Sequence, residues 1–337
     1  MAWLAGWQYR KKITIQGRSG AGQNYVILLK IGESSGSSGC DFHLEGQSAN
    51  FPSGKNDGGD LRFTASDGIT LLSFWVEKVE GSSPNRTAYV WVKVSENLDN
   101  NVDIYCYFGN SEASNYSNGD NTFLLFDDFE GSSLDSNKWE WRDASVSVSN
   151  SVLTVSENGI TGRRVQSKNS FSGLLKMLVY IKYYMNQTYE LLGIGYCDGS
   201  GFNASNNSIG DNENNFSVYR IRQYQAKEYI ENRKDGGSRA DVVARSSLRN
   251  NIWFRFYFLR ASDKAIYIEP DAGVQVENAS NYFSTSINAH VGIDFLKSQA
   301  GYFDYIALMK LVYPEPAFLS AGPVEVPPKG RCFGYIF

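Results

Sequence analysis

What most constrains this chain is a rhythm of short runs and turns. In the first part, KKITI, NYVILLKI, LRFTA, TLLSFWVEKV, TAYVWVKV and VDIYCYF are dense in β-branched and aromatic residues. Between them lie GESSGSSG, KNDGGD, ASDG and EGSSPN, clusters that turn a chain. From Ala88 to Val94, Tyr89, Trp91 and Lys93 alternate with Val90 and Val92, the period of two of a half-buried strand. The second part repeats the pattern in SVSVSNSVLTVS, LLKMLVYIKYYM, YELLGIGYC, NFSVYRIRQY, AKEYIENRK, IWFRFYFLR, KAIYIEP, HVGIDFL and GYFDYIALMKLVY. Regular short strands with such punctuation predict an all-β chain built of sandwiches or barrels.

At 337 residues, and about 150 per domain, two domains are expected. The seam is NGDNTFLLFDDFEGSSLDSNKWEW, residues 118–141, where the apolar Phe123–Phe126 runs into Asp127, Asp128 and Phe129, then Gly131, Ser132 and Ser133. An apolar run followed by turn residues predicts a buried strand leaving one sheet and entering another. The expected division is a β-sandwich over residues 1–122, a second sandwich over 123–313, and an extended tail over 314–337. Prolines hold that tail open, and it ends in Cys332, Phe333, Tyr335, Ile336 and Phe337. So apolar a tail is expected to dock, either folded back on its own sandwich or added as a strand to a neighbouring subunit.

Composition limits the function. Charged residues are 20% and aromatics 14%, so the polar surface falls to Ser, Asn, Gly and Tyr, as in extracellular β proteins. A net charge of −4 with no basic stripe argues against a nucleic-acid partner; Arg10, Lys11 and Lys12 open a strand and are expected at a solvated edge. No apolar span of 18 residues exists, so no membrane insertion is expected. The opening WLAGWQYRKK puts its charges after its apolar residues, unlike a signal peptide. A non-secreted protein, a chain whose leader has been removed and a viral structural protein would all begin this way. Cys40, Cys106, Cys197 and Cys332 form no C-x-x-C, so a zinc or redox site is not expected. Cys106 lies in an apolar strand as a small buried residue, and a Cys40–Cys106 bridge stays open. His43 and His290 stand too far apart for a His-based metal site or triad.

The order GWQYRKKITI, NDGGDLRFTASDG, LLSFWVE, AYVWVKV, IYCYFGN, SNGDNTFLLFDDF resembles a family of unknown function found at the front of archaeal and bacterial surface proteins. The resemblance covers about the first third of the chain. It implies an extracellular or cell-surface module and brings no catalytic residues. FDDFEGSSLDSNKWEW and AGYFDYIALMK resemble the first and last strands of a concanavalin A-like or laminin-G-like jelly roll, in which the terminal strands pair. The expected fold class is therefore all-β: two sandwiches, the second a concanavalin A-like jelly roll, plus the tail.

A glycosidase needs two carboxylates flanking the bond, roughly 5–9 Å apart. Jelly-roll glycoside hydrolases carry them on an E-x-D-x-x-E strand; IEPD, EYIEN and EWRD do not match, and the chain is expected not to be an enzyme. A sugar-binding face is the alternative, since sugars offer hydroxyls to polar groups and ring faces to aromatics. With Phe254, Phe256 and Phe258 inward, Trp253, Arg255 and Tyr257 share the other face; with Tyr219 and Ile221 inward, Arg220, Arg222 and Tyr224 point out; with Ile230 inward, Tyr229 and Glu231 point out. Neighbouring strands would join these into one Arg/Tyr/Trp patch; otherwise they are ordinary exposed strand formers. Structural calcium is a further candidate, with Asp127 and Asp128 on the first strand and Asp304 on the last as ligands if those strands pair; the alternative is strand caps or pairs with Lys138 or Arg142. The long polar loop CDGSGFNASNNSIGDNENN is expected to carry recognition or contacts. N-x-S/T acceptors stand at Asn85, Asn115, Asn186, Asn203, Asn206, Asn215 and Asn278. The resulting expectation is a non-enzymatic structural or adhesion protein on a cell or virion surface, contacting glycans or partner subunits within an oligomeric assembly. The competing expectation is a secreted polysaccharide-acting enzyme.

Overall fold

The computed structural model describes residues 2–142, 145–156, 163–186, 190–202, 209, 213–296 and 300–328. The chain is all-β and divides into two compact units, Met1–Phe123 with Pro314–Phe337, and Leu124–Tyr313. No helix among the described residues is long and apolar enough to cross a membrane.

Unit 1 begins with β1 (Tyr9–Gln16), β2 (Tyr25–Gly32), β3 (Phe42–His43), β4 (Arg62–Thr64), β5 (Leu71–Leu72), β6 (Phe74–Glu80), β7 (Thr87–Val94), β8 (Val102–Phe108) and a single turn, α1 (Gly119–Thr122). Unit 2 follows with β9 (Leu125–Asp127), β10 (Trp139–Arg142), β11 (Ser145–Ser149), β12 (Val152–Ser156), β13 (Arg163–Ser167), β14 (Leu175–Tyr184), β15 (Leu191–Cys197), β16 (Phe216–Arg222), β17 (Lys227–Arg233), β18 (Ala240–Arg245), β19 (Phe254–Arg260), β20 (Ala265–Glu269), β21 (Val274–Asn278), β22 (His290–Leu296) and β23 (Ala300–Lys310). The last strand, β24 (Ala317–Glu325), belongs to unit 1 again.

Unit 1 has a five-stranded sheet, β24-β1-β8-β4-β5, and a four-stranded sheet, β3-β2-β7-β6. Ile13, Ile15, Phe63 and Ile104 of the first and Leu29, Ile31, Val90 and Val92 of the second are fully buried. On the other face of β7 Trp91 is buried as well and donates its indole N–H to Glu77 at 2.8 Å, while Tyr89 and Lys93 stay partly exposed. The segment expected as an extended tail is a strand over Ala317–Glu325, antiparallel to β1. Phe318 stacks on Phe42 with centroids 6.0 Å apart, and Glu325 pairs with Arg10 at 2.8 Å. Pro323 is accommodated because β24 is an edge strand and because the register shifts between Lys11↔Val324 and Ile13↔Ala321. The apolar end, Cys332 to Phe337, lies outside the described residues.

Unit 2 is a jelly-roll sandwich of a seven-stranded sheet, β10-β13-β22-β15-β16-β17-β18, and an eight-stranded sheet that holds β11-β12-β23-β14-β19-β20-β21 with β9 also paired to β23. The terminal strands β9 and β23 are antiparallel neighbours, Asp127 opposite Ile306. Val165, Ile194, Tyr219, Ile221, Ile230 and Ile293 from one sheet meet Met177, Val179, Phe254, Phe256, Phe258 and Leu308 from the other in a single core. Tyr219 stacks on Tyr267 across that core at 4.7 Å and 7°. The inward sets in β16, β17 and β19 are therefore those the alternation predicts.

Candidate functional site

At the centre of the seven-stranded sheet the residues facing away from the core do not face water, whereas Asp241 and Val243 on its edge strand β18 are exposed. Cross-strand register sets Arg164 beside Asp294, Asp294 beside Gly193, Gly193 beside Arg220 and Arg220 beside Tyr229. Arg220 pairs with Asp294 and, at 3.1 Å, with Glu231. Arg222 donates to Glu231 at 2.6 Å and to Asp241 at 2.5 Å, with its guanidinium 4.8 Å from the Tyr229 ring centroid. Arg220 is 1% exposed, Arg222 6% and Tyr229 7%. Gly193 makes this possible: a Cβ there would lie 2.4 Å from Asp294 Oδ1 and 2.5 Å from Arg220 Nη1. The two arginines hold Glu231 below the usual carboxylate range, against the pull of its burial.

The single Arg/Tyr/Trp patch expected from the alternation is therefore corrected. Arg220, Arg222 and Tyr229 are neighbours but buried, and Tyr224, on the turn after β16, is 48% exposed. Trp253, Arg255 and Tyr257 belong to β19 and its approach, which lie in the other sheet. Glu231, expected outward, is locked among arginines. The alternation gives each face correctly but carries no information about which strands share a sheet.

On the outer face of the eight-stranded sheet the structure assembles a different group. Met177, Val179, Ile181 and Tyr183 of β14 point into the core, so Tyr180, Lys182 and Tyr184 point out. Trp253 lies 5.0 Å from Tyr180, centroid to centroid, and Tyr305 lies 5.6 Å from it on the opposite side. The Lys182 ammonium sits 4.6 Å from the Tyr302 ring and 5.2 Å from Trp253. Tyr302 and Tyr305 differ by an odd number of residues and would ordinarily face opposite ways. A register shift between Tyr180↔Tyr305 and Ile181↔Phe303 leaves Asp304 as the extra residue and puts both rings on one face. Arg255 closes one side, held by both oxygens of Asp271 at 2.6 and 2.8 Å. Tyr257 is half-buried, with the Lys176 ammonium 5.1 Å from its ring. Trp253, Tyr180 and Tyr302 remain partly exposed, so the group is a shelf of rings with a cation across it. Sequence reasoning placed Trp253, Arg255 and Tyr257 and missed Tyr180, Lys182, Tyr302 and Tyr305; for Tyr302 and Tyr305 the reason is the bulge, which has no signature in the alternation itself.

The three carboxylates offered to calcium do not form one ligand group. Asp127 is buried and its oxygens are taken, one by the Phe129 N–H at 2.8 Å and one by the Trp139 indole at 2.7 Å. Burial raises its pKa, which disfavours the anion that a cation would need. Asp128 is partly exposed, and Asp304 is the bulge residue. Among the described residues no three His, Cys, Asp or Glu side chains are arranged to hold a metal ion. Cys40, Cys106 and Cys197 are free thiols, so the Cys40–Cys106 bridge is not formed. Of the glycosylation acceptors, Asn85, Asn115 and Asn186 are exposed. Asn278 is buried with its amide donating to Ile230 O and Ala240 O, and Asn215 is buried with its amide on Asp198 at 2.9 Å. These two are unsuited to carry a glycan in the folded chain. Asn203 and Asn206 lie outside the described residues.

One acidic pair was not legible at all. Glu213, near the end of the long polar loop CDGSGFNASNNSIGDNENN, is fully buried, bonded to Arg164 and to the Gly201 N–H at 3.0 Å. It is also hydrogen-bonded to Asp198, which holds Ser200 and Asn215. Burial and Asp198 push Glu213 up to about 7 despite Arg164, while Asp198, with its hydrogen bonds outweighing its burial, falls to about 2. Between these two values the pair shares one proton. A second buried knot lies between the sheets: Arg249 donates to Glu228 at 2.6 Å, to Glu269 at 2.9 Å and to Tyr219 at 2.8 Å, and Tyr183 donates to Glu228 at 2.7 Å.

Residues 57–142 match a family described as a domain of unknown function (DUF2341), a span that ends inside unit 2. No curated protein sequence matches the chain. Among solved structures, it is similar to LamAcat from Zobellia galactanivorans, at 12% identity over 57% of this chain and 100% of that one, with a TM-score of 0.43. It is similar to an endo-β-1,3-glucanase from Pyrococcus furiosus, at 10% identity over 59% of this chain and 95% of that one, with a TM-score of 0.43. It is also similar to the carbohydrate-binding module CBM66 from Bacillus subtilis, at 7% identity over 52% of this chain and 96% of that one, with a TM-score of 0.39. At such identities, activity and ligand rest on the chain's own residues.

Proposed function

We propose that this chain is a non-catalytic attachment protein, displayed on a cell or particle surface, whose second unit holds glycans on the outer face of its eight-stranded sheet. The observation that carries this is the shelf formed by Tyr180, Trp253 and Tyr302, backed by the buried Tyr305, with Lys182 across it. Ring faces take the apolar side of a pyranose, and the flanking ammonium takes its hydroxyls. A surface built from Ser, Asn and Tyr with few charges fits display outside a cell. The test is a glycan array with the full chain. Trp253→Ala and Tyr180→Ala should each weaken the retained signals at least fivefold, and Tyr224→Ala, on the turn after β16 of the other sheet, should leave them unchanged. Silence of the whole array, or equal signals from all variants, refutes the reading.

A hydrolytic reading has one observation in its favour, the Asp198–Glu213 pair with its divided titration. Against it, the two carboxyls bond to each other directly, where a glycosidase keeps them roughly 5–9 Å apart. Glu231 and Asp294 are bound to arginines and buried. Release of reducing ends from a polysaccharide panel, abolished by Glu213→Gln, would establish the hydrolytic reading instead.

A further inference from the structure

We propose that unit 1 carries a second, separate site: a pocket that takes one uncharged sugar residue at the end of a glycan. The pocket has a volume of about 170 Å³ and is lined by Ser73, Asn115, Tyr116, Ser117, Asn118 and Asn121. None of the six is charged, and the two cations beside them are already engaged, Lys93 on Asn121 O at 2.8 Å and Arg62 on the Tyr116 ring. The volume is well below the roughly 300–1,000 Å³ of pockets for drug-sized ligands, which fits a single ring and not a chain.

The lining divides into a scaffold and a set of open groups. Asn115 accepts from the Gly58 N–H at 2.9 Å and the Ser117 N–H at 3.0 Å, and donates to Asn56 O at 2.7 Å. Ser117 accepts from the Val76 N–H at 3.0 Å, and the Asn118 N–H donates to Phe74 O at 2.8 Å. Asn118 Oδ1 accepts from the Asn121 N–H at 2.9 Å. These bonds fix the loop before any ligand arrives, which removes the ordering cost of binding. Four groups are left without a partner among the described residues: the hydroxyls of Ser73 and Tyr116 and the side-chain amides Asn118 Nδ2 and Asn121. Amides and hydroxyls both donate and accept, as a ring of sugar hydroxyls requires. Tyr116 adds an apolar wall, its ring held by the Arg62 guanidinium at 4.7 Å and by Phe74 at 6.2 Å.

The test is two-dimensional NMR of the full chain labelled at Asn side-chain amides, titrated with methyl glycosides of glucose, galactose, mannose and N-acetylglucosamine. At least one glycoside is expected to shift the Asn118 and Asn121 amide signals saturably at millimolar concentration. Asn121→Ala, whose side chain holds nothing else in place, should weaken that binding at least fivefold with the melting temperature unchanged. Tyr116→Phe, which keeps the wall and removes the hydroxyl, should weaken it as well. Trp253→Ala should not, which separates this site from the shelf on unit 2. No saturable shift from any of the four glycosides, the same affinity in Asn121→Ala, or an equal response to ethylene glycol overturns the proposal.

Discussion

Replacing Gly193 by Ala tests the claim that the outer face of the seven-stranded sheet is closed by ion pairs lying flat on the strands. The backbone at Gly193 is outside the left-handed region, so alanine is conformationally allowed. On chain entropy alone the change would stabilise by about 0.4–1 kcal/mol. Against that, the new Cβ would lie 2.4 Å from Asp294 Oδ1, 2.5 Å from Arg220 Nη1 and 2.9 Å from Arg220 Cζ. The guanidinium must rise off the strand and loosen from a carboxylate that is itself fully buried. Breaking such a pair outright costs about 3–5 kcal/mol, and a partial shift less, so a net loss of about 2–4 kcal/mol is expected. At about 2–4 °C per kcal/mol for a unit of this size, the melting transition of unit 2 should fall by about 4–16 °C. Differential scanning calorimetry, with urea unfolding followed by near-ultraviolet circular dichroism, reads it. Gly54→Ala, where nothing lies within 4 Å of the added Cβ, is the control and should stay within about 0.5 kcal/mol of wild type. Arg220→Ala should itself be costly because it takes the arginine from the buried Asp294 and leaves Glu231 with Arg222 alone, but in that background the added loss from Gly193→Ala should drop below about 1 kcal/mol. A wild-type transition for Gly193→Ala, or an equal penalty in both backgrounds, refutes the reasoning.

Two further outcomes follow from named groups. Glu213 keeps its proton up to about 7 in the folded chain and only to its ordinary value of 4.5 when unfolded, so the folded state binds more protons between these limits and stability declines as pH rises through them. Asp198, depressed from 3.8 to about 2, acts oppositely: its contribution is present above 3.8 and is lost as pH falls towards about 2. Urea midpoints from pH 4.5 to 7.5 should therefore decline in wild type and flatten in Glu213→Gln; parallel slopes would contradict the shared proton. In a host that glycosylates secreted proteins, peptide mass spectrometry should find Asn85 modified and Asn215 and Asn278 bare, since the amides of the latter two are buried donors; a glycan on Asn278 of the folded chain would contradict its placement.

Much of the fold could be read from side-chain order. Phe254, Phe256 and Phe258 point inward as the period of two requires, and so do Tyr219, Ile221 and Ile230. The pairing of β9 with β23 follows from the resemblance of the two ends to jelly-roll strands. What escaped was information that alternation does not hold. An outward arginine reads as solvated unless its carboxylate partner is known, and Arg220 finds Asp294 at 74 residues' separation. The strand β24 was masked by its prolines, because a proline is tolerable only on an edge and the edge is a property of the finished sheet. Half of the ring shelf was hidden by one extra residue at Asp304, which changes the parity of everything after it.

The pairing of β24 with β1 has a consequence for biosynthesis. Arg10 and Glu325 are bonded across 315 positions of sequence, with all of unit 2 translated in between. At about 5–20 residues per second the ribosome needs on the order of 10–40 seconds to make that insert, and throughout it the nascent front sandwich offers a bare strand flank to any passing partner. Until β24 arrives, that flank stays open to such pairing. The rate at which the last strand arrives, more than the intrinsic speed of either sandwich, should then set the yield of correctly assembled protein.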